Sequence, residues 1–179
     1  MPDIDNTVLT LIDIQGNLAN AMYGKEALFK GIKQLIKGAT TLEIPVILTE
    51  QNPKGLGPTI PEVKELLPDI TAIPKMSFNC CDNEEYMEAL KSHGKKNVLI
   101  AGIESHICVY QTAAALLDMV YEVEVVTDAV ASRSPENRRL ALKKMEGMGI
   151  KMTSVEMALF EMIKTADHEK FREIVKIIK

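Results

Sequence analysis

Apolar runs rich in β-branched residues alternate along this chain with stretches in which apolar positions recur every three or four residues. The runs at 7–12, 46–49, 72–73, 97–101, 123–126 and 150–153 predict strands, and the stretches at 23–41, 61–67, 83–93, 106–120, 135–147 and 167–178 predict helices. Strand followed by helix, repeated, points to parallel strands joined by crossover helices. The predicted class is α/β, a three-layer, doubly wound, mostly parallel six-stranded sheet with helices on both faces. The sharpest boundary signal is Ser134-Pro135-Glu136, a cap followed by proline at the first helical position, with Gly147 and Gly149 closing that helix. Apolar stripes at 157–163 and 171–178 are expected to cover the core or to mediate assembly. No repeat or linker interrupts the pattern, so residues 1–179 read as a single domain.

Composition narrows the classes of function. A chain of 179 residues, 46% of them apolar, buries about 70% of the surface its unfolded form exposes and needs no covalent staple. The net charge of −4 comes without any cluster of Lys or Arg, so no nucleic-acid partner is expected. No apolar run approaches the ~20 residues of a membrane span, and the acidic start Met1-Pro2-Asp3-Ile4-Asp5-Asn6 does not resemble a signal peptide. The expected location is the cytoplasm. Three cysteines, with Cys80 and Cys81 adjacent, lack disulfide or zinc spacing, as suits a reducing compartment. The histidines His93, His106 and His168 are not at ligand spacing from one another, so no metal or other cofactor is expected.

In an open parallel sheet, residues just past the carboxyl ends of different strands converge on one crevice. On the predicted strands these are Asp13, then Glu50 and Gln51, then Lys75, then Glu104 through Cys108, and Asp128. The loop Asn52-Pro53-Lys54-Gly55-Leu56-Gly57-Pro58 lies at the same end. Cys108 follows a strand and a short polar turn, on what reads as the first turn of a helix, where exposed N–H groups would favour its thiolate. A thiol, a carboxylate and an ammonium in one crevice supply a nucleophile, a proton acceptor and a steadying charge.

Four segments, taken in order, give the chain a family likeness. Leu11-Ile12-Asp13-Ile14-Gln15, Pro74-Lys75-Met76-Ser77-Phe78, Gly102-Ile103-Glu104-Ser105-His106-Ile107-Cys108-Val109 and Thr127-Asp128-Ala129-Val130-Ala131-Ser132-Arg133 together resemble the isochorismatase-like cysteine hydrolases. The stretch Thr49-Glu50-Gln51-Asn52-Pro53-Lys54-Gly55-Leu56-Gly57-Pro58-Thr59 is most similar to their isochorismatase-domain-containing subgroup. The resemblance implies one hydrolase domain over 1–179, a catalytic triad of Asp13, Lys75 and Cys108, and a cis peptide between Ile103 and Glu104. It also implies an oxyanion hole from the backbone N–H groups of Glu104 and Cys108 and a small-molecule substrate held near Gln15, Glu50, Phe78 and Tyr110. A homo-oligomer, dimer or higher, is implied too. The expected reaction is hydrolysis of a small amide or carbamoyl-like carbonyl compound through a covalent acyl-enzyme.

Departures from the family pattern argue against two of its substrates. Where nicotinamide-hydrolysing members carry an aspartate and two histidines that hold a metal, this chain has Glu50-Gln51-Asn52. Isochorismate cleavage in the family does not use a nucleophilic cysteine, and this chain keeps one. Two other readings stay open: a non-catalytic scaffold or thiol sensor of the same fold, and a magnesium-dependent phosphatase of haloacid-dehalogenase type. For the latter, Gln15 stands where that group's second aspartate would be.

Overall fold

The computed structural model describes residues 2–179. In chain order its main elements are β1 (Thr7–Ile12), α1 (Gly16–Asn20), α2 (Lys25–Thr41), β2 (Val46–Gln51), α3 (Pro53–Leu56), α4 (Pro61–Lys64) and β3 (Ile73–Lys75). They continue with α5 (Glu84–Ser92), β4 (Asn97–Ile103), α6 (Tyr110–Asp118), β5 (Glu122–Ala131), α7 (Pro135–Gly147), β6 (Lys151–Thr153), α8 (Val155–Ile163) and α9 (Phe171–Ile178). The strands form one sheet in the order β3-β2-β1-β4-β5-β6. Every neighbouring pair is parallel, so the sheet is parallel throughout.

Strand geometry puts successive side chains on opposite faces, and the core divides accordingly. Leu9, Leu11, Leu48, Leu99 and Ala101 join α2, α8 and α9 on one face. Val8, Ile47, Val98, Ile100, Val123 and Val125 join residues of α5, α6 and α7 on the other. Each fully buried Leu or Ile among them gains about 1.5–3 kcal/mol over an exposed one. Side-chain caps fix the helix starts: Asn83 Oδ1 accepts from the Tyr86 N–H at 2.9 Å for α5, and Ser134 Oγ from that of Asn137 at 3.2 Å for α7.

The chain winds outward from β1 in both directions, so the strand order reverses between β1 and β4 and opens a crevice there. The two strands approach closely at that point. Gly102 has φ 122°, and a Cβ there would stand 2.1 Å from the Ile12 carbonyl oxygen, so glycine is required.

Two differences from the sequence expectation bear on the site. The fifth strand does not end at residue 126; after an irregularity between Ile100 and Gly102 it pairs onward, Gly102 with Val130 and Ile103 with Ala131. Asp128 therefore lies within β5, not past its end, and its Oδ1 accepts from the Val155 N–H at 2.8 Å, at the start of α8. Nor does an α-helix begin directly at 106. Ser105–Val109 forms a wider π turn, with Val109 N–H donating to the Glu104 carbonyl at 3.3 Å, and α6 follows it.

Candidate active site

Asp13, Lys75 and Cys108 come from three separate strand ends and meet in the crevice beside β1. Asp13, just past β1, takes a left-handed backbone conformation with φ 54°, which a short polar side chain tolerates, and is 1% exposed. Lys75, the last residue of β3, places Nζ 2.7 Å from Asp13 Oδ2, with both side chains out of solvent. Nζ also donates to Gln51 Oε1 at 2.7 Å and to the carbonyls of Ser77 at 3.2 Å and Phe78 at 3.4 Å. The Thr49 hydroxyl donates to Asp13 Oδ1 at 2.7 Å. Such completion matters because a desolvated ion pair is tolerated only when its remaining donors and lone pairs are satisfied.

Cys108 sits in the π turn and lines the same cavity as Asp13. Burial chiefly, with the Asp13 charge beside it, raises this thiol to about 12, and Lys75 pulls against both. The expected preference for a thiolate is thus reversed: desolvation and a neighbouring anion outweigh the helix-start dipole at a site three residues into the turn. Cys80 lies nearby, its Sγ 4.0 Å from Thr49 Oγ1, and burial raises it to about 11. Cys81 is raised to about 12, also chiefly by burial.

A cavity of about 230 Å³ opens on Asp13 and Cys108, and Phe78 is on its wall as expected. A larger hollow of about 480 Å³ lies between α2 and α7, lined by Tyr23, Asp128 and Arg138, away from the thiol. Three other expected pocket residues do not line the reactive cavity. Gln15 is a buried strut: its Nε2 donates to the carbonyls of Gln51 at 3.0 Å and Gly57 at 2.7 Å, and its Oε1 accepts from the Gln51 N–H at 2.6 Å. Glu50 turns its Oε1 to the N–H and hydroxyl of Thr59, at 2.6 and 2.7 Å, and so clamps the 52–59 loop. Tyr110 lies under the Lys144 ammonium, 4.5 Å from its ring centroid, in the layer of α6 and α7. His106 Nδ1 is 2.9 Å from Ser132 Oγ, a tie between the π turn and the end of β5.

Arg133, the last residue of the 127–133 motif, is on the cavity wall. Its backbone N–H and Nε hold the buried Glu104 carboxylate at 2.9 Å and at 3.1–3.2 Å. A full-length β5 would have placed Arg133 among the strand-end candidates. Leu18 and Leu56 also line the cavity, from α1 and α3, which the periodicity did not resolve. The peptide between Ile103 and Glu104 is cis. Among the described residues, no cluster of three or more His, Cys, Asp or Glu is arranged to hold a metal ion, and no helix is long and apolar enough to cross a membrane.

Comparison with known proteins bears on the family and the fold. The Isochorismatase domain model matches residues 7–157. Isochorismatase domain-containing protein 2 of Xenopus laevis is 36% identical over 173 residues, covering 97% of this chain and 83% of that protein. Among solved structures, MAR1 ribonuclease from Caenorhabditis elegans superposes with a TM-score of 0.93 at 37% identity, over 99% of this chain and 91% of that one. The YcaC gene product of Escherichia coli, described as an octameric hydrolase of unknown specificity, gives a TM-score of 0.89 at 26% identity, over 99% and 86%.

Proposed function

The chain belongs to the isochorismatase family, and from that premise we propose that it is a cysteine hydrolase of small amide or carbamoyl-like compounds, with Cys108 as nucleophile, Asp13 as base and Lys75 as the charge that holds them. The observation that carries the reading is one cavity lined by both Cys108 and Asp13, with the Asp13 carboxylate held 2.7 Å from the buried Lys75 ammonium. Asp13 takes the Cys108 proton as sulfur bonds to the carbonyl carbon. The carbon–nitrogen bond breaks, the proton passes to the leaving amine, and a thioester remains. Water then bonds to that carbon, the carbon–sulfur bond breaks, and sulfur regains a proton. The N–H groups of Glu104 and Cys108 receive the developing oxyanion.

The C. elegans neighbour's name suggests ribonuclease activity, which requires cations to hold phosphates. Here the cavity's exposed cation, Arg133, is already engaged by Glu104, and the chain carries a net charge of −4, so carbonyl hydrolysis is the better-supported reading. The octameric E. coli neighbour supports a homo-oligomer, and three free, buried cysteines support a cytoplasmic setting.

The test is intact-protein mass spectrometry on the chain mixed with small amides and esters. An acyl adduct on Cys108 is expected. In Cys108→Ala the adduct disappears and turnover falls at least about 1,000-fold, while the melting temperature holds. Full activity in that variant would refute the proposal, and a folded protein that forms no adduct would favour the scaffold reading.

A further inference from the structure

The wall around Cys108 is selective in a way that the proposed hydrolase reading does not specify. Its apolar part is Leu18, Leu56, Phe78, Ile103 and Ile107. Its polar side chains already have partners. Asp13 accepts from Thr49 and Lys75 at 2.7 Å each, and Gln51 uses Oε1 for Lys75 and Nε2 for the Met76 carbonyl at 2.8 Å. Both Glu104 oxygens accept from Arg133. Charge balances as well, since Asp13 offsets Lys75 and Glu104 offsets Arg133.

From this we infer that, of the two substrate kinds in that reading, the cavity favours the amide kind: it selects a short, uncharged, aliphatic acyl group over a carbamoyl or a carboxylate-bearing one, and the inference rests on Cys108 being the nucleophile. A carbamoyl nitrogen placed among Leu18, Leu56, Phe78, Ile103 and Ile107 gives up hydrogen bonds to water without gaining any from those side chains, a cost that an aliphatic chain does not carry. A carboxylate on the acyl group meets no net positive charge. A volume of about 230 Å³, below the ~300 Å³ at which drug-sized pockets begin, suits an acyl group of a few carbons. Each methylene placed against such a wall is worth about 10-fold or more in rate.

The test compares p-nitrophenyl acetate, butyrate, N-methylcarbamate and hemisuccinate, which share one leaving group. In each case the thiol sulfur bonds to the carbonyl carbon, the carbon–oxygen bond to nitrophenolate breaks, and Asp13 takes the thiol proton. The rate of Cys108 acylation, followed by nitrophenolate release and located by peptide mass spectrometry, is divided by the rate of the same ester with a small free thiol. Butyrate is expected to exceed both the carbamate and the hemisuccinate at least about 10-fold on this scale, and to exceed acetate. In Leu56→Asn the butyrate advantage falls at least about threefold. Equal or reversed ratios with Cys108 still acylated, or an unchanged ratio in Leu56→Asn, overturn the inference and leave the nucleophile standing. No acylation of Cys108 by any ester overturns both.

Discussion

The two edge strands of the sheet each contribute a lysine to a carboxylate, and the pairs have little else in common. Lys75, on β3, lies inside the molecule with Asp13 at 2.7 Å and three further acceptors around its ammonium. Lys151, on β6, lies on the surface 3.0 Å from Glu122, with side chains 51% and 57% exposed. Its other carboxylate neighbour, Glu124, approaches only to 4.0 Å, and Glu124 Oε1 is buried with no hydrogen bond. At the β3 edge of the sheet charge has been taken out of water and satisfied by near partners. At the other edge it stays in water, or is buried with its needs half met, and there a mutation meets little cooperative structure.

The sharpest way to break the contrast is Lys75→Met. It strands the Asp13 carboxylate in the interior, so stability should fall by about 3–5 kcal/mol in denaturant melts. Any remaining folded fraction should lose ester turnover at least about 1,000-fold. An active Lys75→Met protein would remove the lysine from the mechanism.

Glu124→Gln should act in the opposite direction. Burial raises the Glu124 pKa, so the folded state holds that proton to higher pH than the unfolded chain does. Its contribution is complete below the unfolded value near 4.5 and is lost as pH rises through the folded value. A neutral glutamine avoids that loss, so the variant should melt higher than the parent at pH 7 and match it near pH 3. The same melting temperature difference at both pH values would show that Glu124 is not the titrating group.

Lys151→Gln is expected to do least. Its partner Glu122 is held low by the Lys151 hydrogen bond, but the pair is solvated and screened by salt. The thermal midpoint should move by no more than about 1 °C. A larger shift would mean that Lys151 supports Glu124 more than their separation suggests.

The site was legible in part because strand ends are readable from hydrophobic runs, and parallel topology sends those ends to one crevice. Asp13, Lys75 and Cys108 each follow such a run. Asp128 was misplaced for the same reason in reverse: Thr127 and Asp128 look like a strand's end, whereas pairing with β4 carries β5 on to Ala131. Gln15 and Glu50 were placed at the correct end of the sheet, but partners in the 51–59 segment turned them into supports for its loop. Arg133 was hidden because its role depends on Glu104, 29 positions away.

The sequence alone determined the alternation of strands and helices, and with it the α/β class and the shared edge at which the reactive side chains gather, because periodicity and cap chemistry are local properties of a chain. Only the tertiary structure decided the state of the sulfur, the partners that hold Lys75, and which side chains bound the cavity. Those depend on desolvation and on distances between residues far apart in sequence, and neither quantity exists until the chain has closed around them.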